Sequence, residues 1–198
     1  RCPFERDLND ITKGRVAGGS SSGSAVSISD GMAPATIGSD TGGSTRAPAA
    51  FCGIVGLKPT TTRMPSDGIF PLSRSFDAAG PMASTVSCCA ILDSLMAGGS
   101  GEDEAAFAVK GLRLALPKGY LFDDLDPHVA SSFAAAIDRL SAAGADISDI
   151  TLAEIEALRP SNNVKSIVAA EAYHLHQSYL EAGKGNQYDP LIAFRLQG

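Results

Sequence analysis

Two clusters of glycine and serine stand close together in this chain of 198 residues: Gly18-Gly19-Ser20-Ser21-Ser22-Gly23-Ser24 and Gly38-Ser39-Asp40-Thr41-Gly42-Gly43-Ser44. A serine hydroxyl becomes a nucleophile once a base takes its proton, so either cluster could carry covalent chemistry. Glycine lets the backbone adopt positive φ and approach another group closely, and each glycine weakens its surroundings entropically. Two such clusters, separated by small and apolar residues, describe a backbone shaped around a ligand. A surface linker would not alternate with buried-looking apolar runs. On composition alone, Ser20, Ser21 and Ser22 also fit a flexible loop, and Ser44 fits a helix N-cap.

The second cluster continues as Asp40-Thr41-Gly42-Gly43-Ser44-Thr45-Arg46, then Ala47-Pro48-Ala49-Ala50-Phe51-Cys52-Gly53 and Gly56-Leu57-Lys58-Pro59-Thr60. With the upstream Gly18-Gly19-Ser20-Ser21-Ser22-Gly23, this stretch resembles the amidase signature family, serine hydrolases of carboxylic amides built on a Ser, cis-Ser, Lys triad. The match is much longer than a lone glycine motif. The resemblance places the nucleophile on Ser44 and the bridging serine, reached through a cis peptide bond, on Ser20. It implies that a neutral lysine, its pKa lowered by burial, draws a proton from Ser44 through Ser20. The backbone N–H groups of Thr41, Gly42, Gly43 and Ser44 are then expected to form the oxyanion hole. Ser21 is expected to support the loop by hydrogen bonding, and Asp40 to hold its backbone rather than act as a base. Arg46 fits an ion-pairing residue that fixes the loop, or a ligand for a carboxylate substrate.

The reaction implied is cleavage of carboxylic or urea-type C–N amide bonds of a small molecule, with no metal and no organic cofactor. A glutaminase subunit of a tRNA-dependent amidotransferase, working with partner subunits, is the alternative within the family; a homodimer is the other assembly considered. Outside it, Gly19-Ser20-Ser21-Ser22-Gly23 fits the G-x-S-x-G elbow of an α/β-hydrolase esterase, with Ser21 as nucleophile and His128, His174 or His176 as base. That elbow needs a strongly hydrophobic strand before it, and Lys13-Gly14-Arg15-Val16-Ala17 is a weak one. The glycine loops also fit a phosphate-binding nest, without the G-x-x-x-x-G-K-[ST] or G-x-G-x-x-G that would mark a nucleotide site.

Positioning these loops calls for an α/β fold, a mixed sheet flanked by helices. A short helix is expected from Ser21 to Asp30, a buried strand from Met32 to Gly38 with Asp40 to Ser44 at its end, and a helix or turn from Ala47 to Phe51. A second strand covers Ile54 to Leu57, and Thr60 to Gly80 reads as a loop-rich span. Within and after that span, Gly68-Ile69-Phe70-Pro71-Leu72-Ser73 and Asp77-Ala78-Ala79-Gly80-Pro81-Met82 resemble further elements of the family. Ser84 to Ala97 reads as a helix capped by Ser84, Leu112 to Leu116 as a strand, and Pro127 to Ala142 as an amphipathic helix. A strand near Ala145 to Ile150, a turn at Arg159-Pro160-Ser161 and a helix from about Val164 to Ala182 complete the pattern.

Composition is that of a globular protein with a sizeable core, 44% hydrophobic and 19% charged. The net charge of −6 and the scattered basic residues give no footprint for nucleic acid or an anionic membrane. No apolar run approaches the roughly 20 residues that span a bilayer, so no membrane role and a cytoplasmic location are expected. Cys2, Cys52, Cys88 and Cys89 lack zinc-site spacing, and the adjacent Cys88 and Cys89 read as buried thiols. The chain opens on Arg1, and its first motif starts at Gly18. Residues 1–198 are therefore read as a partial amidase signature domain, lacking an N-terminal part with the catalytic lysine and a C-terminal part. Lys13, too close to Ser20 for that role, reads as a solvated loop lysine.

Overall fold

The structure is a computed structural model that describes residues 16–102, 107–158 and 163–197. Cys2, Lys13 and the turn at Arg159-Pro160-Ser161 lie outside the described residues. The chain forms two compact units, one of Arg1–Glu104 with Ser166–Gly198, the other of Ala105–Lys165.

In the first unit, α1 (Ser22–Ser29) and α2 (Arg46–Cys52) lie over a three-stranded antiparallel sheet of β1 (Ala35–Asp40), β2 (Val55–Gly56) and β3 (Ala78–Ala83). Its core is Ala25, Ile28, Ala49, Cys52 and Met82. Alanine and cysteine dominate this core, which lets the helices come close to the strands and brings both Gly/Ser clusters to one place. Gly53, at φ 66, ends α2 in the left-handed conformation that favours glycine.

Strand β3 is the centre of the sheet, with β1 on one edge and β2 on the other. Its start falls in the span expected to be loop-rich, because Ala-Ala-Gly-Pro-Met-Ala has neither alternation nor β-branched residues. Close packing overrides that weak signal: Met82 and Ala83 are fully buried, and the carbonyl oxygen of Leu57 comes so near Gly80 that a Cβ there would sit 2.0 Å from it. The Leu57 N–H donates to the Pro81 carbonyl at 3.0 Å, continuing the edge pairing past β2. We expect Gly80→Ala to destabilise the protein by about 3 kcal/mol or more, since backbone rather than a flexible side chain must move. Gly23→Ala, in an open position on α1, serves as the control and stabilises by up to about 1 kcal/mol. Thermal denaturation of both variants checks the pair of outcomes.

Strand β1 begins at Ala35 rather than Met32, since Pro34 cannot join the ladder, and it runs on to Asp40. Nor is it fully buried, as Ile37 is 56% exposed. Helix α3 (Val86–Met96) is capped by Thr85, whose hydroxyl accepts from the Cys88 N–H at 3.1 Å, and not by Ser84. Its inner face carries Cys89 and Asp93, and the helical turn carries Cys88 outward, so only one of the adjacent thiols is buried. Burial pushes the Cys89 thiol up. Arg63 pairs with Asp93 at 2.6 Å. The unit is completed by α6 (Asn163–Glu181), from Ser166 onward, and by α7 (Pro190–Gln197), which nothing in the sequence pattern marked.

The second unit is a β-α-β crossover: β4 (Arg113–Lys118), α4 (Pro127–Ala142) and β5 (Asp146–Thr151), with the two strands parallel and Leu114 opposite Ile147. Asp126 caps α4 by accepting from the His128 and Val129 N–H groups, and Pro127 occupies its first turn. Strand β4 runs two residues past Leu116 because parallel pairing reaches Lys118 despite Pro117. A short helix α5 (Ala153–Leu158), also unmarked in the sequence, follows and brings the Glu156 carboxylate to the Tyr120 N–H at 3.0 Å. No helix among the described residues is long and apolar enough to cross a membrane.

Candidate active site

Both Gly/Ser clusters meet at one place in the first unit. Within the upstream cluster the Gly19–Ser20 peptide bond is cis, as the resemblance implies, and the Ser21 N–H donates to the Ser44 carbonyl at 3.1 Å. The Ser21 hydroxyl lies between the N–H and the carbonyl of Ser39, 3.3 Å from each. A Cβ on Gly38 would meet the Ser21 and Thr45 side-chain oxygens at 2.8 and 2.9 Å, so only glycine lets strand β1 pass this junction.

Asp40, the last residue of β1, organises the loop that follows. Its fully buried carboxylate accepts from the backbone N–H of Gly43 at 2.7 Å, of Thr45 at 3.2 Å and of Arg46 at 3.3 Å. Arg46 adds a two-pronged contact, Nε to Oδ2 at 2.9 Å and Nη2 to Oδ1 at 3.1 Å. Burial opposes ionisation of Asp40, but the Arg46 guanidinium and the three N–H groups outweigh it and hold the carboxyl at about 2. Asp40 is thus a fixed anion at neutral pH, an anchor for the loop and a poor base. The Gly43 N–H is occupied by this carboxylate, which removes it from the expected oxyanion hole. No acceptor is found among the described residues for the N–H groups of Thr41, Gly42 and Ser44.

Ser20, Thr41 and Ser44 open into a cavity of about 480 Å³. Ser39 lines it as well, and the opposite wall is the segment from Thr61 to Ala79. Asp77 joins the two sides: its Oδ1 accepts from the Thr41 hydroxyl, and its Oδ2 from the N–H groups of Leu72 and Ser73 at 2.8 and 2.9 Å. Glu171 of α6 holds the same wall, accepting from the Ser73 hydroxyl at 2.6 Å and from the Ser75 hydroxyl and N–H. These hydrogen bonds hold the Glu171 carboxyl below its ordinary range.

Of the residues singled out from sequence, Ser20, Ser44 and Thr41 face the cavity, while Ser21, Asp40 and Arg46 build the loop behind it. Ser21 does not line the cavity, and its hydroxyl is held at Ser39, which speaks against the elbow arrangement. His128 is on α4; His174 and His176 are on α6, where His176 bonds the Tyr188 hydroxyl at 2.8 Å and packs against Phe70. No lysine is among the described residues that line the cavity, and no metal-binding cluster of three or more His, Cys, Asp or Glu occurs among the described residues. Sequence reasoning missed Asp77, Arg74 and Glu171. Asp77 opens the Asp77-Ala78-Ala79-Gly80-Pro81-Met82 element already noted; nothing local marked Glu171.

A glutamyl-tRNA(Gln) amidotransferase subunit of Roseiflexus sp. (strain RS-1) is 43% identical over 162 residues, 75% of this chain and 33% of that protein. The corresponding protein of Chromohalobacter salexigens is 40% identical over 170 residues, 79% of this chain and 35% of that protein. A crystal structure of an amidase superposes with a TM-score of 0.79 at 33% identity, covering 91% of this chain and 40% of that one. The glutamyl-tRNA(Gln) amidotransferase subunit of Thermotoga maritima superposes with a TM-score of 0.70 at 33% identity, over 79% of this chain and 37% of that one. The chain thus spans about a third of the length of the curated relatives it matches. Amidase is also the family whose pattern matches residues 3–194, nearly the whole sequence with both Gly/Ser clusters inside it, and the chain therefore belongs to the amidase signature family.

Proposed function

We propose that the enzyme to which this chain belongs hydrolyses carboxylic or urea-type amides through an acyl-enzyme on Ser44. The observation that carries this reading is that Ser20 and Ser44, from clusters 24 positions apart, open into one cavity. Ser44 Oγ attacks the carbonyl carbon as its proton passes to Ser20 Oγ, and the Ser20 proton passes to a neutral lysine. The negative charge that forms on the carbonyl oxygen is met by the N–H groups of Thr41, Gly42 and Ser44, each such donor being worth about 3–4 kcal/mol. The lysine proton returns through Ser20 to the leaving nitrogen as the C–N bond breaks. Water then attacks the ester by the reverse relay and restores Ser44.

No described lysine lines the cavity, and Lys13, outside the described residues, stands too close to Ser20 in the chain for the base that the resemblance implies; the base is therefore assigned to the two thirds of the relatives that this chain does not cover. Residues 1–198 are accordingly a partial domain, and the 198-residue chain alone is expected to show no Ser44-dependent turnover.

The second reading is a glutaminase subunit that passes ammonia to a partner, favoured by amidotransferase relatives at about 40% identity. Steady-state turnover of glutamine and of simple small amides by the whole enzyme, alone and with the partner subunits of an amidotransferase, separates the two. Turnover of small amides without partners supports the hydrolase; glutamine hydrolysis that rises on adding partners supports the glutaminase. Turnover of neither class overturns both.

A further inference from the structure

Arg74 opens into the cavity that holds Ser20 and Ser44, and it is the one lysine or arginine among the described residues lining it. The chain on each side of it is fixed. Ser73, fully buried, gives its hydroxyl to Glu171 and its N–H to Asp77, and Ser75 gives both its hydroxyl and its N–H to Glu171. Asp77 and Glu171 direct their oxygens to neutral hydroxyl and amide donors, and neither forms an ion pair with Arg74. The Arg74 side chain has no ion-pair or hydrogen-bond partner among the described residues. The one other acid of the lining, Asp67, sits exposed on the Ser66-Asp67-Gly68 turn.

A guanidinium stays charged at any working pH and presents a planar set of five donors that fits a carboxylate through two parallel hydrogen bonds. Arg74 is exposed, with its backbone set on a segment clamped at Ser73 and Ser75, and the paired hydrogen bonds to a carboxylate supply the directed contact that a point charge lacks. We propose that Arg74 is a specificity-determining residue that selects amides bearing a carboxylate away from the scissile bond, the carboxylate pairing with the guanidinium while the amide carbonyl meets Ser44. This rests on the assignment of the cavity as an amide-hydrolase site.

Succinamate and succinamide, equal in size and different in charge at one end, form the test pair. Their binding to the whole enzyme carrying Ser44→Ala is measured by calorimetry, and their kcat/KM by steady-state kinetics with Ser44 intact. Succinamate is expected to bind about 10- to 100-fold more tightly than succinamide. That ratio should fall towards one in Arg74→Gln and recover in part in Arg74→Lys, which keeps the charge without the fork. Equal binding of the two ligands, or a preference that survives Arg74→Gln in a protein of unchanged melting temperature, overturns the assignment. If the enzyme turns over amides with no preference for the anion, only the Arg74 assignment fails. If it turns over none while the Ser44→Ala protein keeps an Arg74-dependent preference, the hydrolase reading fails and the carboxylate site stands.

Discussion

Replacing Ser44 with alanine is expected to lower amide turnover by the whole enzyme by a factor on the order of 10⁴–10⁶, and to abolish its labelling by a fluorophosphonate. The size follows from what is left. Without Oγ there is no acyl-enzyme, and the remaining N–H groups of Thr41, Gly42 and the alanine at position 44 can only polarise a carbonyl awaiting unassisted water. Ser39 and Ser20 line the same cavity, so labelling must be mapped to the modified residue rather than read as a total. Ser21→Ala gives the contrast: its hydroxyl is bound at Ser39, and its loss costs about 1 kcal/mol of stability with labelling retained. Labelling that survived Ser44→Ala and vanished with Ser21→Ala would move the nucleophile to the upstream cluster.

Asp40→Asn is expected to destabilise the protein by about 3 kcal/mol and to cut turnover with it. One oxygen remains, but the other becomes an amino group that faces donors: the N–H groups of Gly43, Thr45 and Arg46 and the Arg46 guanidinium. Breaking a buried ion pair by removing one partner costs about 3–5 kcal/mol, and the lower end applies because Arg46 is half exposed. A fall in melting temperature of about 6–12 °C is the measurement. The same carboxyl sets an acid limit. Its folded value of about 2 lies below the ordinary 3.8, so the stability it contributes is complete above about pH 4 and is lost as pH falls through 2. The loss amounts to about 2 kcal/mol in the wild type. Urea denaturation at about pH 5 and about pH 2.5 should show a smaller acid loss in Asp40→Asn, with a residue from Glu171, whose lowered carboxyl acts in the same direction. An unchanged acid slope would mean that Asp40 is not the buried anion.

The parts of this site legible in the sequence are those in which one backbone conformation demands one residue. Gly38, where a Cβ would clash, Gly43, whose φ of 116 favours glycine, and Asp40, whose carboxylate holds the loop, are of that kind, and with them Ser20 and Ser44 come to line one cavity. Strand β3 was half hidden because its buried, close-packed role selects small residues, glycine and proline, which in isolation read as a loop. The N-cap of α3 slipped by one residue because Ser84 and Thr85 are equally good caps and only packing of Cys89 against the sheet selects between them. The hydrogen bond from the Gly43 N–H to Asp40, three residues back, cannot be read from a glycine. Contacts between distant positions left no local trace, and Glu171 is the clearest of these.

Glu171 lies 98 positions after Ser73 and 127 after Ser44 along the chain, yet it grips the cavity wall facing the nucleophile. Random libraries confined to the Gly/Ser region would sample chemistry and fold together, and most of their members would lose both. Libraries around Glu171, in the middle of α6, instead shift the cavity wall while leaving Ser20, Ser44 and the Asp40 anchor untouched. Substrate range and reaction type can then drift independently over generations, with new amides admitted by changes in a helix that touches none of the reacting atoms.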